Sequence, residues 1–111
     1  MRAIYKICPA SAWREAERRG VYRGSADDAR DGFIHFSTAD QLSETAARRF
    51  AGMDALLLVA VSTDHLDVKW EPSRGGALFP HLYAALPIAS VIWVRELPLV
   101  GGTHVFPPLN S

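Results

Sequence analysis

Two short runs carry the residues best suited to chemistry. The first is Asp31-Gly32-Phe33-Ile34-His35-Phe36-Ser37-Thr38. Side chains alternate along an extended strand, so His35 and Ser37 share one face and Ile34 and Phe36 the other. A histidine and a hydroxyl at the mouth of a helix, where first-turn N–H groups and partial positive charge are on offer, form a cradle for a ligand, an anion above all. The same residues also fit a purely structural role, with Ser37 and Thr38 capping the helix and His35 a satisfied buried imidazole. The second run is Phe79-Pro80-His81-Leu82-Tyr83. If it is extended, His81 and Tyr83 share a face and Pro80 stiffens the approach; alternatively Tyr83 is a core residue with its hydroxyl at the surface and His81 is simply exposed. Glu71 is the third candidate. It follows Trp70 and precedes Gly75-Gly76, and a carboxylate beside a large apolar ring can be held in a raised-pKa state for acid–base work. The plainer reading is a surface glutamate at a strand end. The candidate catalytic residues are therefore Glu71 and His35, and the candidate ligand-binding residues are His35, Ser37, Thr38, His81 and Tyr83. His35 and His81 are expected to face a common cleft.

The elements that position these residues follow from periodicity and punctuation. Ala3 to Cys8 reads as a strand with Ile4, Lys6 and Cys8 on one face and Tyr5 and Ile7 on the other, ended by Pro9. Ser11 is the expected cap of a helix that carries Trp13, Ala16 and Glu17 on one face and stops at Gly20. Val21 to Asp31 reads as a polar connection, and Phe33 to Phe36 as a short strand. Thr38 with Gln41 matches a capping box for a helix from Ala39 to about Phe50, whose stripe is Leu42, Ala46 and Phe50. Leu56 to Ser62 is almost wholly apolar and reads as a central strand buried on both faces. Leu66 to Glu71 reads as a short strand, Leu78 to Leu86 is ambiguous, and Ile88 to Leu97 is a strand closed by Pro98. The tail from Pro107 to Ser111 should be extended and loosely held. Two main helices mixed with strands, without a βαβ rhythm, predict an α+β fold: one compact domain with small mixed or antiparallel sheets.

Composition narrows the classes of function. The chain has 111 residues, 49% of them hydrophobic, the size and content of one globular domain that needs neither disulfide nor metal to fold. Twelve basic and twelve acidic residues cancel. That balance argues against nucleic acid or an anionic membrane as the main partner. Arg14, Arg18, Arg19 and Arg23 fit a solvated helix face. Cys8 is the single cysteine, and in an apolar strand it reads as a small core residue. The start of the chain lacks a signal-peptide apolar region and no apolar run could cross a bilayer, so a cytoplasmic location is expected. Gly-rich phosphate loops, the dinucleotide Gly fingerprint, His-Glu-x-x-His and paired Cys-x-x-Cys are all absent. No metal site is expected from two histidines so far apart in sequence.

Taken together, the Asp31–Thr38 run followed by Gln41, Glu71, the Phe79–Tyr83 run, Tyr5-Lys6-Ile7 and the Trp13–Gly20 helix resemble the bacterial domain of unknown function 952 family, over nearly the whole chain. The resemblance implies a fold similar to that of the ADP-ribosyltransferases, with two small sheets around a nicotinamide–ribose cleft. It implies NAD as the candidate cofactor, the His35–Thr38 strand against it, Tyr83 as a stacking ring and Glu71 as a carboxylate near the ribose. The chain departs from those enzymes in having no Glu-x-Glu pair near its end. The expected function is a polar pocket for a nucleotide or NAD-related ligand, with ADP-ribosyl-type transfer as its chemistry. The alternative is a non-catalytic module that binds a small molecule or a protein.

Overall fold

A computed structural model describes residues 2–109. Along the chain the elements are β1 (Ala3–Pro9), α1 (Ala10–Arg19), β2 (Val21–Tyr22), α2 (Ala26–Asp31), β3 (Ile34–His35), α3 (Leu42–Arg49), β4 (Leu56–Ser62), β5 (Val68–Pro72), β6 (Leu78–Leu82), β7 (Leu86–Pro87), β8 (Val91–Leu97), β9 (Leu99–Val100) and β10 (Thr103–His104). The most apolar stretch, β4, lies in the middle of a three-stranded antiparallel sheet in the order β1-β4-β8. A second antiparallel sheet has the order β3-β6-β5. The two meet at one seam. Tyr5 N–H donates to Ser37 O at 2.8 Å and Ser37 N–H returns the bond to Tyr5 O at 2.9 Å, while within the second sheet Phe36 N–H donates to Pro80 O at 3.0 Å and prolongs the β3–β6 ladder. The architecture is α+β, as its mixed elements predict.

Alternation along β1 and β4 sends apolar residues to both faces, and each face meets a helix. Leu57, Val59 and Val61 of β4 pack with Ile4 and Cys8 against Trp13 and Ala16 of α1, together with Ile34 and Leu82 from the second sheet. Leu56, Leu58 and Ala60 pack with Tyr5 and Ile7 against Leu42 and Ala46 of α3. Cys8 is buried, and that burial raises its thiol pKa, the state of an inert core cysteine. The exposed arginines of α1 pair within their own helix, Arg14 with Glu17 and Arg18 and Arg19 with Glu15.

Several expected boundaries shift for identifiable reasons. Helix α1 starts at Ala10, not after a Ser11 cap, because the Ala10 N–H finds an acceptor outside the helix in Ala55 O at 2.9 Å. Gly20 does end it, at φ +82° with its N–H on Ala16 O. The supposed polar connection contains β2 and α2, and α2 is capped reciprocally by Ser25 and Asp28. A 3-10 turn over Ala39–Gln41 precedes α3. The Gln41 side chain spans from Thr38 N–H, at 3.0 Å, to Leu78 O, at 2.8 Å. The ambiguous stretch becomes β6 and β7. Another 3-10 turn, Ile88–Ser90, precedes β8. Past Pro98, Gly101 and Gly102 turn the chain into the β9–β10 hairpin. The expected loose tail is tied down as far as Leu109, since Phe106 and Leu109 pack against the α3-side core; Asn110 and Ser111 lie outside the described residues. Among the described residues no helix is long and apolar enough to cross a membrane.

The connection into α2 passes very close to Asp28. Gly24 has φ +104°, and a Cβ there would stand 2.7 Å from Asp28 Cβ. Gly52, at φ +73°, faces open space. Gly24→Ala should therefore cost about 3 kcal/mol through strain and displacement of Asp28, against about 1 kcal/mol for Gly52→Ala. Urea denaturation of the two variants checks this; equal losses would show that the close approach has no energetic weight.

Candidate functional site

The site grows from a charge placed on a core-facing position of β1. Lys6 shares a strand face with Ile4 and Cys8, so its stem runs into the interior. Its ammonium meets Asp28, with Nζ donating to Oδ2 at 2.9 Å and Oδ1 at 3.2 Å. The two side chains are 8% and 2% exposed, a buried ion pair. Nζ also donates to His35 O at 2.9 Å, which fixes α2 and β3 relative to β1. The Asp28 carboxylate accepts in addition from Ser25 N–H at 2.8 Å, His35 N–H at 3.1 Å and His35 Nδ1 at 2.6 Å. Burial alone would raise its pKa, but the bond from His35, the Lys6 charge and the Ser25 N–H outweigh burial and hold the carboxyl well below its usual value. On the far side of the same imidazole, His35 Nε2 lies 3.0 Å from Asp31 Oδ2.

Across the β3–β6 ladder His35 stands directly opposite His81, and their ring centroids are 5.5 Å apart, edge to face. Glu71 on β5 pairs with Phe79, so His81 is its diagonal neighbour. Glu71 Oε1 accepts from His81 Nδ1 at 2.8 Å and from the Tyr83 hydroxyl at 2.7 Å. Phe33 covers this group from one side, its ring centroid 4.5 Å from His35, 4.0 Å from His81 and 5.1 Å from Tyr83.

A cavity of about 210 Å³ opens between β1, α2, α3 and the second sheet. His35, Ser37 and His81 line it, with Arg49 and Phe50 at the α3 side and Ser25 at the start of α2. Ser37 Oγ lies 3.0 Å from Thr45 Oγ1, another lining residue. The structure thus brings His35, Ser37 and His81 to one cavity wall. Thr38, Glu71 and Tyr83 are not among its lining residues. Thr38 sits at the head of the 3-10 turn, while Glu71 and Tyr83 stand behind His81. Tyr83 is 56% exposed. The raised carboxyl pKa expected for Glu71 is corrected: hydrogen bonds from Tyr83 and His81 lower it, and Trp70 packs away on the other face of β5. Asp31 and Phe33 lay in the first run without a role of their own, and Lys6, Asp28 and Arg49 were not among the sequence candidates. Two of them had a signal, a lysine inside an apolar strand and the Ser25-x-x-Asp28 capping pattern. Among the described residues no group of three or more His, Cys, Asp or Glu is placed to hold a metal ion.

The arrangement defines a small α+β domain with a cleft walled by two carboxylate-backed histidines. The chain belongs to the family described as protein of unknown function (DUF952), which it matches over residues 7–94. It is similar to protein CC0527 from Caulobacter crescentus, known from a crystal structure at 44% identity, covering 93% of each chain with a TM-score of 0.88. The solution structure of CC0527 compares at 45% identity over 94% of this chain and 91% of the other, with a TM-score of 0.83. None of the curated proteins compared matches the chain.

Lys6→Met should strand the Asp28 charge in the interior and cost about 3–5 kcal/mol. Adding Asp28→Asn removes the stranded charge and should recover part of that loss, which chemical denaturation of the single and double variants measures. A double variant no more stable than Lys6→Met would rule out charge burial as the cause.

The depressed Asp28 pKa also fixes the sign of a pH effect. Its contribution is complete above the unfolded carboxyl pKa of about 3.9 and is lost as pH falls from there toward the lower folded value. The unfolding free energy should fall through this acid range less steeply in Asp28→Asn than in the wild type; parallel profiles would contradict the assignment.

Proposed function

We propose that the cavity binds one end of a nucleotide-type ligand, NAD or an NAD-derived molecule such as ADP-ribose. The observation that carries this reading is the convergence of His35 and His81, from two distant sequence motifs, on one cavity wall. Tyr5, Phe50 and Phe79 add aromatic surface for a planar ring, and Arg49 adds a cationic donor for phosphate or sugar oxygens. The volume, about 210 Å³, suits a ring and its sugar better than a whole dinucleotide. Two small sheets parting from the Tyr5–Ser37 seam, with the cavity beside it, are consistent with the cleft of an ADP-ribosyltransferase-like fold.

Transfer of an ADP-ribosyl group would need a carboxylate able to reach the ribose. Asp28 is engaged by four donor groups, Lys6 Nζ, Ser25 N–H, His35 N–H and His35 Nδ1, and Glu71 reaches the cavity only through His81. That saturation favours the second reading, a module that binds the ligand without transforming it. Calorimetric titration of NAD and ADP-ribose separates the possibilities. Saturable binding is expected, weakened at least about tenfold, or about 1.4 kcal/mol, in Arg49→Ala and His81→Ala and unchanged in the remote Val100→Ala. Release of free nicotinamide from NAD, followed by chromatography, would mark the enzyme, and binding without it the module. No heat and no thermal shift with either ligand at millimolar concentration would remove the nucleotide reading.

A further inference from the structure

His35 and His81 face each other across one ladder, yet their ring nitrogens are used differently. Both nitrogens of His35 meet carboxylate oxygens, Nδ1 that of Asp28 and Nε2 that of Asp31. An ionised carboxylate only accepts, so Asp28 takes the bond from Nδ1, while Nε2 stands beside Asp31. His81 commits Nδ1 alone. Its partner, Glu71, also takes the Tyr83 hydroxyl on the same oxygen. Hydrogen bonds from Tyr83 and His81 keep the Glu71 carboxyl below its usual pKa, so Glu71 is an acceptor and the Nδ1 of His81 carries the proton. The neutral ring then has its lone pair on Nε2, on the edge turned away from Glu71, and among the described residues no hydrogen bond is made there. The ring cannot turn over cheaply. A flip would place carbon against Glu71, and His81 is 5% exposed with Phe33 packed on its face.

We propose that His81 is the hydrogen-bond acceptor of the cavity, its tautomer set by Glu71 as the positioning residue, and that the group it receives is a ligand hydroxyl, as on a ribose. His35, its Nδ1 bonded to Asp28 and its Nε2 beside Asp31, holds α2 to β3 and has both edges taken up by carboxylates. The choice of a sugar hydroxyl rests on the nucleotide-type reading above; the fixed tautomer does not. A hydroxyl held at Nε2 is also placed to lose its proton there, so His81 is the residue at which general-base chemistry would begin.

The test joins imidazole nitrogen NMR with binding. In mildly alkaline buffer, long-range proton–nitrogen spectra of the wild-type protein should show His81 as the Nδ1–H tautomer. Glu71→Ala, at a part-exposed position, should let the Nε2–H form appear in the folded variant, and Tyr83→Phe should leave the tautomer in place because Glu71 remains. A wild-type His81 in the Nε2–H form, or in rapid exchange between forms, overturns the proposal. For the ligand, adenosine 5′-monophosphate should bind the wild type about tenfold more tightly than its 2′,3′-dideoxy analogue, as one lost hydrogen bond implies. That preference should shrink in Glu71→Ala. Equal affinities overturn the hydroxyl assignment. Failure of both nucleotides to bind, with the Nδ1–H tautomer observed, refutes the nucleotide reading and leaves the positioning role standing.

Discussion

The ion pair between Lys6 and Asp28 is the constraint around which the rest of the molecule is arranged. Taking an ammonium and a carboxylate out of water costs several kcal/mol per ion, and their attraction repays this only where the remaining donors and acceptors are also satisfied. Here they are. Asp28 accepts from Lys6, from the Ser25 N–H that starts its own helix, and from both the backbone and the ring of His35. Each contact ties a different piece of chain to the same carboxylate. β1 comes from the first sheet, α2 from the connection, and β3 from the second sheet. The close passage of Gly24 over Asp28 follows, since the chain has to turn tightly to deliver the carboxylate into the interior.

From that anchor the cleft takes its form. The first sheet is filled on both faces by helices and has little room for anything else. The second sheet meets it through the Tyr5–Ser37 seam, the Lys6–His35 bond and the packing of Ile34 and Leu82 on its α1 side, and the cavity lies beside that seam. The β3–β6 register then decides which side chains look across it. A shift of one residue would turn His35 and His81 away and present Ile34 and Leu82 in their place. Burial of Ile34 and Leu82 in the α1-side core prevents that slip, so apolar packing on one face sets the chemistry on the other.

The parts of this design that were legible in the sequence are those written in local pattern. The stripe of α3 and the shared face of His35 and Ser37 follow from periods of 3.6 and 2, the buried strand β4 from its unbroken apolar run, and the Gly20 stop from glycine's access to the left-handed region. The short elements were less visible. β2 has two residues and α2 six, and both are held by long-range contacts more than by propensity. Asp28 is the instructive case. Its capping pattern with Ser25 could be read, but its burial depends on Lys6, 22 positions earlier, and no local rule links them. Glu71 shows the opposite error. Its neighbour Trp70 suggested an apolar setting, but alternation puts the two on opposite faces of β5, and the diagonal partner on β6 determines its state.

The chain of contacts from His81 to Glu71 to Tyr83 has one more consequence. The imidazole is nearly closed off from water, at 5% exposure, whereas the carboxylate at its back is 40% exposed. Concealment of the ring and electrical insulation of the ring are therefore separate properties in this protein. The ring on the cavity wall is thus tied at its back to a carboxylate that solvent can reach.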